Sequence, residues 1–427
     1  MNVSNIIETR LPTGVKDFLP VKAAKLEFLQ SALYQIFHRW GFQPIVPAIL
    51  EDLAVLELGL GEDLREKTFR FDDRQTGRLV AFPPDITPQV ARIAATRMHD
   101  MPLPFRLCYS GRVLRHAEQR LGKDREVFQA GVELIGLDSA EADAEMIAMT
   151  VEGLRSVGAQ EFTVDIGQVD FLRGILDDLD LDNHDIALLC AAIAAKDLSS
   201  LKQLLEDLPL SDQKREELLT LPRLFGGPDV LDKAAAAVRN PKSLRALENL
   251  QQVLDLLKIY GVEDFITLDL GELRGFDYHT GLIFQGYLSG FGRAVCSGGR
   301  YDNLMGRYGF STPATGFAFN LYNLLFALDR ELIQHAAGGT DILLVSMAKD
   351  KMPAQRLAVT LRQQGYSVAR EMLVRDRQAS LDYARRLHFR YLMILPEAMD
   401  SLLLIRPGDG QETKVDLNAV EEGRLQL

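Results

Sequence analysis

The side chains suited to chemistry gather in three short stretches of this sequence. The first is PPDITPQ, residues 83–89, where Asp85 and Thr87 stand at a turn leading into a helix, with Pro88 at the first helical position. A helix start collects backbone N–H groups and short polar side chains around a ligand. The same residues also serve as plain caps, a role that suits Thr87. The second stretch centres on Arg115, Gln129 and Glu133. If EVFQAGVELIG, residues 126–136, is a strand, Gln129, Gly131 and Glu133 share one face, because side chains alternate with a period of two. An amide and a carboxylate around a residue with no side chain make a ligand-sized notch. The solvated side of a half-buried strand would have the same pattern. The third stretch is LRGFDYHTG, residues 273–281. Its Arg274 offers a fork of donors for a carboxylate or phosphate. Asp277 can anchor the loop or accept from an amine, while Tyr278 and His279 bring a hydroxyl and an imidazole. The nearby CSGGRYDNL, residues 296–304, adds two glycines that let backbone approach a ligand. The structural alternative is an ordinary hairpin held by an ion pair such as Glu272 with Arg274.

Other chemistries find little support. The 7 histidines show no HxH or HxxxH spacing, so no metal site is expected. His38 and Trp40 belong to the packing of the first helix, and GFG at 290–292 reads as a turn. There is no GxxxxGK[ST] loop, no GxSxG elbow and no Cys/His constellation, and no cofactor is expected. The 3 cysteines (Cys108, Cys190 and Cys296) lie far apart, which fits free thiols in a reducing cytosol. No signal peptide and no apolar run of membrane-spanning length is present, so the expected location is cytoplasmic. The net charge of −12 and the lack of a basic run argue against a general nucleic-acid binder.

The elements that would hold these stretches follow from periodicity. Lys22 to Trp40 has apolar residues at helical spacing and Gly41 as a stop. FQPIVPAILE, with two prolines, suits an edge strand or extended arm. FRFDDRQTGRLVAF reads as a hairpin around Gly77. FRLCYSGRVLR and EVFQAGVELIG are strand-like, joined by the polar loop His116–Arg125, and ADAEMIAMTVEGLRSVG and EFTVDIG follow as helix and strand. From about Phe171 to Ile259 the pattern is helical, with no convincing strand. FITLDLGEL, LIFQGYL and RAVCSGG restore strands, and TGFAFNLYNLLFALDRELI is a strand running into a buried helix. The reading is an α+β domain over residues 1–333, an antiparallel sheet flanked by helices with a helical insertion at about 171–259. A linker at 334–340 precedes a small α/β domain at 341–427, where strands and helices alternate.

Taken together, these stretches resemble the histidyl-tRNA synthetase family over nearly the whole chain. LPTGVKDFLP is similar to its opening, and FRFDDRQTGRLVAF to the hairpin before its substrate loop. FQAGVELIG resembles the end of its motif 2. LRGFDYHTGLIF and CSGGRYDNL resemble its two histidine-specific signatures, the most specific match. The resemblance implies a class II aminoacyl-tRNA synthetase-like sheet, and residues 341–427 resemble a diverged, shortened anticodon-binding domain. By motif position, Asp85, Thr87 and Gln129 would hold the α-amino group of histidine. Glu133 would face the imidazole, Arg274 the carboxylate, and Tyr278 and His279 would wall the pocket, with Arg115 kept from motif 2. His279 replaces the family's usual second tyrosine, and Pro83 stands where an arginine is normal.

The larger departures lie on the nucleotide side. Motif 2 of the synthetases reads Arg-x-Glu, and Ala117 replaces that glutamate. Motif 3 reads roughly Gly-Phe-Ala-x-Gly-x-Glu-Arg, where GFAFNLYN has Asn320, Tyr322 and Asn323 for the glycine, glutamate and arginine. Loss of that guanidinium removes charge stabilisation that adenylate formation needs. The pattern is similar to that of a paralogous group, the regulatory subunits of ATP phosphoribosyltransferase. Membership there implies no catalysis by this chain and a short-form catalytic phosphoribosyltransferase as partner in the first step of histidine biosynthesis. It also implies histidine as a feedback ligand and a homodimeric unit, formed through residues 22–50, inside a hetero-oligomer. An active histidyl-tRNA synthetase and a free-standing histidine-binding or tRNA-interacting paralogue are the two competing readings.

Overall fold

The computed structural model describes residues 10–116, 124–272, 278–329, 332, 340–373, 375–397, 401–422 and 424. The chain divides into two compact units, Met1–Phe18 with Leu26–Glu331, and Leu19–Lys25 with Leu332–Leu427. Among the described residues no helix is long and apolar enough to cross a membrane.

Helix α1 (Pro20–Arg39) buries Leu29, Leu33, Ile36 and Phe37 at helical spacing. It begins two residues before the expected Lys22, because a proline is tolerated in a first turn where its missing N–H has no partner to lose. Gly41 ends it with a φ of +82°. β1 (Gln43–Pro44) follows as an edge strand, which suits a residue without an N–H to donate. β2 (Glu51–Asp52), β3 (Phe69–Asp72) and β4 (Leu79–Phe82) make a separate small sheet in the order β2-β4-β3, and helices α2 (Leu53–Gly59) and α3 (Glu62–Glu66) lie between its first two strands.

The main sheet takes in β5 (Phe105–Leu114), β6 (Glu126–Ile135), β7 (Phe162–Gln168), β8 (Phe225–Gly226), β9 (Ile266–Asp269), β10 (Leu282–Leu288), β11 (Ala294–Arg300) and β12 (Ala314–Asn320). Its nine strands run in the order β1-β5-β6-β12-β11-β10-β7-β9-β8. From β5 to β7 every pairing is antiparallel; β1–β5 and β7–β9 are parallel. Helix α4 (Thr87–Arg97) precedes β5, α5 (Ala140–Ser156) links β6 to β7, and α12 (Leu321–Ala327) follows β12.

Between β7 and β9 come α6 (Val169–Asp177), α7 (Asn183–Ala194), α8 (Leu198–Asp207), α9 (Asp212–Thr220), α10 (Val230–Ala237) and α11 (Pro241–Tyr260). The expectation of no strand in this stretch is corrected by β8, which pairs with β9. Two residues are too few for alternation to show.

One face of the main sheet is apolar, the other polar. On β12 the sequence Gly316-Phe317-Ala318-Phe319-Asn320 alternates small or polar residues with aromatics. Phe317 lies edge-on to Phe37 of α1 with ring centroids 6.1 Å apart, and Phe319 packs close to Gly153 of α5. This is the half-covered antiparallel sheet that a clean two-residue alternation encodes. The opposite face keeps Gly316, Ala318 and Asn320.

The smaller unit has β13 (Ile342–Ser346), α13 (Met352–Gln363), β14 (Val368–Arg370), α14 (Arg377–Arg386), β15 (Tyr391–Leu395), β16 (Ser401–Ile405), β17 (Glu412–Asp416) and α15 (Leu417–Glu421). Its sheet order is β14-β13-β15-β16-β17, parallel at β13 and antiparallel beyond β15. Apolar clusters fill both faces, so the unit has its own core. Most of the expected linker, residues 334–339, lies outside the described residues.

Candidate functional site

β6 carries Gln129, Gly131 and Glu133 on one face, opposite Asn320, Ala318 and Gly316 of β12 in register. The solvated alternative is excluded, since Gln129 is 7% and Glu133 1% exposed. Burying a carboxylate needs partners. Tyr109 of β5, across from Gly131, donates to Glu133 Oε1 at 3.1 Å, and Tyr301 donates to Oε2. Burial pushes the Glu133 carboxyl from 4.5 up to about 8; the hydroxyls of Tyr301, Thr87 and Tyr109 pull it down, and the Asp85 charge raises it.

Two glycines make this geometry possible. A Cβ on Gly131 would lie 2.7 Å from the Tyr109 hydroxyl, and one on Gly316 would overlap Glu133 Oε2. The notch expected around Gly131 is therefore occupied by Tyr109, which sequence reading missed. Strand register sets that partner, and a single sequence does not display register. Tyr301 could have been found, because it sits inside the CSGGRYDNL stretch already singled out.

At the start of α4, Gln129 Nε2 donates to Asp85 Oδ1 at 3.0 Å, while Gln129 Oε1 accepts from Ile86 N at 3.2 Å. Thr87 is not the cap it was expected to be. Ile86 occupies the cap position with helical backbone and no side-chain cap, and Thr87 is the first helical residue. The Ile86 N–H is met instead by Gln129 and by the side chain of Asp85. That frees the Thr87 hydroxyl, which lies 3.3 Å from Tyr109 OH. Arg115 donates through Nε to Pro84 O at 2.6 Å, which ties its guanidinium to the same turn.

Tyr278 and His279 close the other side. The Tyr278 ring lies 5.5 Å from Tyr301 and 5.1 Å from His279 between centroids. Among the described residues the Tyr278 hydroxyl is buried and has no hydrogen-bond partner. Burial pushes the His279 imidazole down to about 4, so the ring is neutral. Its Nδ1 lies 3.2 Å from Arg300 O. A carbonyl only accepts, so Nδ1 carries the hydrogen and Nε2 the lone pair. Arg274 and Asp277 lie outside the described residues.

Asp85, Thr87, Arg115, Gln129, Tyr278 and His279 line one cavity of about 440 Å³, with Glu133 held against it through Tyr301. The segment Gly61–Leu64 forms a further wall that sequence reading did not identify. An adjoining cavity of about 200 Å³ shares His279, Ser297 and Gly298.

The three motif 3 substitutions are tied into local structure. Asn320 caps α12, its Oδ1 accepting from Tyr322 N and Asn323 N at 3.1 Å each. Asn323 donates to Ala294 O at 2.8 Å. Tyr322 donates to Glu126 Oε1 at 2.8 Å, and its ring packs 4.8 Å from Phe18. Ala117 lies outside the described residues.

Comparison with known proteins places this geometry in a family. The family described as Histidyl-tRNA synthetase matches residues 14–324. An ATP phosphoribosyltransferase regulatory subunit of Syntrophotalea carbinolica is 59% identical over 420 residues, 98% of each chain. One from Geobacter sulfurreducens is 50% identical over 424 residues, 99% of this chain and 97% of that one. A solved structure from Bacillus halodurans C, described as an ATP phosphoribosyltransferase regulatory subunit/histidyl-tRNA synthetase, is 26% identical. It matches 92% of this chain and 99% of its own with a TM-score of 0.78. The antiparallel sheet flanked by helices is thus the class II synthetase-like fold.

Proposed function

This chain belongs to the family of ATP phosphoribosyltransferase regulatory subunits, and on that premise we propose that it binds histidine and conveys feedback to a separate catalytic subunit. It does no chemistry of its own. Its partner is a short-form ATP phosphoribosyltransferase acting at the first step of histidine biosynthesis, in the cytoplasm. The working assembly contains a homodimer of this chain, joined through residues 22–50. The unit at 341–427 is a diverged remnant of an anticodon-binding domain.

One observation carries this reading: the two halves of the site differ in kind. The amino-acid half is a cavity with a carboxylate at Asp85 and an amide at Gln129 in its wall, and the buried carboxyl of Glu133 behind Tyr301. The nucleotide half has Asn323 held by a backbone carbonyl and Tyr322 held by Glu126, where a synthetase presents an arginine and a glutamate. Asp85, Thr87 and Gln129 receive the α-amino group, Glu133 faces the ring, and Arg274 takes the carboxylate. Tyr278 and His279 wall the ring, and Arg115 braces the turn at Pro84. A polyphosphate meets no motif 3 guanidinium at 323, so the amino acid is held but not activated. Feedback follows if the complex has two states that differ in histidine affinity, since coupling to the partner is then reciprocal.

Calorimetric titration of the purified chain tests this. Histidine gives saturable heat, ATP gives none, and Glu133→Ala abolishes the histidine signal. Histidine-dependent ATP–pyrophosphate exchange by this chain would establish the synthetase reading instead.

A further inference from the structure

The stretches LRGFDYHTG and CSGGRYDNL are fastened to each other by two side chains outside both cavities. Thr280, in the first stretch, donates its hydroxyl to Asp302 Oδ2 at 3.0 Å and accepts from Asp302 N at 2.9 Å; Asp302 lies in the second. The Thr280 N–H adds a third link, to Arg300 O at 2.8 Å. Neither Thr280 nor Asp302 is among the described residues that line the cavities of about 440 Å³ and 200 Å³.

Asp302 is a firm anchor. Its Oδ1 accepts from Arg300 Nη1 and from Ala314 N, each at 3.1 Å, and Ala314 opens β12. Arg300 is itself buried, with Nε on Asp143 of α5 at 3.0 Å and its other nitrogens on the carbonyls of Leu137 and Ser139. Hydrogen bonds to charged groups are the stronger and more directional kind. What this frame holds is the run Tyr278–Gly281, directly before β10. Tyr278 and His279 in that run line the larger cavity. Helix α6 grips the same backbone, Arg173 Nη2 donating to His279 O and Val169 N to Gly281 O, both at 2.9 Å. Thr280 adds the side-chain pin that joins the run to Asp302.

On the reading that histidine occupies the larger cavity, we propose that Thr280 is a positioning residue for it: its exchange of hydrogen bonds with Asp302 sets where Tyr278 and His279 stand in the wall. The Asp302 side chain is 32% exposed, so water can take over its bonds when the threonine hydroxyl is removed. The fold then survives while the alignment of the run is lost. Binding sites need their walls held to within about 0.5 Å, and that precision is what the pair supplies.

The test is calorimetric titration of histidine into full-chain variants, well below their unfolding temperature. Thr280→Val keeps the shape and removes the hydroxyl; Thr280→Ser keeps the hydroxyl. The expected Kd rises about tenfold in Thr280→Val and stays within about twofold of the parent in Thr280→Ser. In an Asp302→Ala background Thr280→Val causes no further loss, because the pair is already broken. A hydroxyl that serves the fold alone would lower the melting temperature of Thr280→Val and leave the Kd of the folded chain unchanged, which overturns the assignment. So does a Thr280→Ser as weak as Thr280→Val, or an equal loss in both backgrounds. Should Asp302→Ala not fold, the valine and serine variants decide by themselves. Wild-type chain that binds no histidine removes the proposed function and this assignment together; wild-type binding with an indifferent Thr280→Val removes only the latter.

Discussion

Glu133 concentrates the physics of the site in one residue. Its carboxyl is raised from 4.5 to about 8, chiefly by burial. Below 4.5 it is protonated in both folded and unfolded chains and contributes no pH dependence. Between 4.5 and 8 the folded chain keeps a proton that the unfolded chain has released, so stability falls as pH rises through that window. Glu133→Gln keeps the shape of the neutral form without the titration. Urea unfolding should therefore show the variant gaining on the parent between pH 5 and pH 8, by on the order of a few kcal/mol. An equal difference at both pH values would place the proton elsewhere. The pairing of Gln129 with Glu133 was legible, because alternation alone sets their shared face. Their burial was not, since a polar face reads alike whether it meets solvent or tyrosine hydroxyls.

Elements were legible where an apolar stripe marks them. The helix ending at Gly41 and the aromatic alternation of β12 announce themselves through burial, while the hairpin around Gly77, mostly exposed, is marked by its polar turn instead. β17 did not. It is an edge strand whose five residues are almost wholly exposed, so it has no alternation to read. Thr87 was misplaced for a different reason: its cap was displaced by a distant amide, Gln129, that no local rule contains. At the other end of β12 the cap is local, and Asn320 accepts from two N–H groups of α12. Asn320→Ala should cost about 1 kcal/mol in urea unfolding, the usual magnitude for an N-cap loss. No measurable cost would mean that solvent satisfies those N–H groups.

Across the whole molecule, two compact units each enclose their own apolar clusters. Such a chain should not unfold as one two-state system. Scanning calorimetry should resolve two transitions. Histidine at about a hundredfold over its Kd should stabilise only the larger unit, by about 2.7 kcal/mol. A single transition, or equal shifts of both, would contradict this. In sequence the C-terminal region reads as alternating strands and helices. The grouping of Leu19–Lys25 with the C-terminal unit was not legible there, because contacts between distant segments leave no trace in local periodicity.

The asparagine at the head of α12 also bears on how readily a synthetase-like motif could be introduced into this chain. Restoring glycine at 320 would uncap a helix, and an arginine at 323 would have to abandon the Ala294 carbonyl. Each of these replacements thus weakens the fold before any new reactivity appears. The residues that stand where a synthetase carries catalytic groups are here part of the scaffold, so replacing them one at a time would cost stability before it could add reactivity.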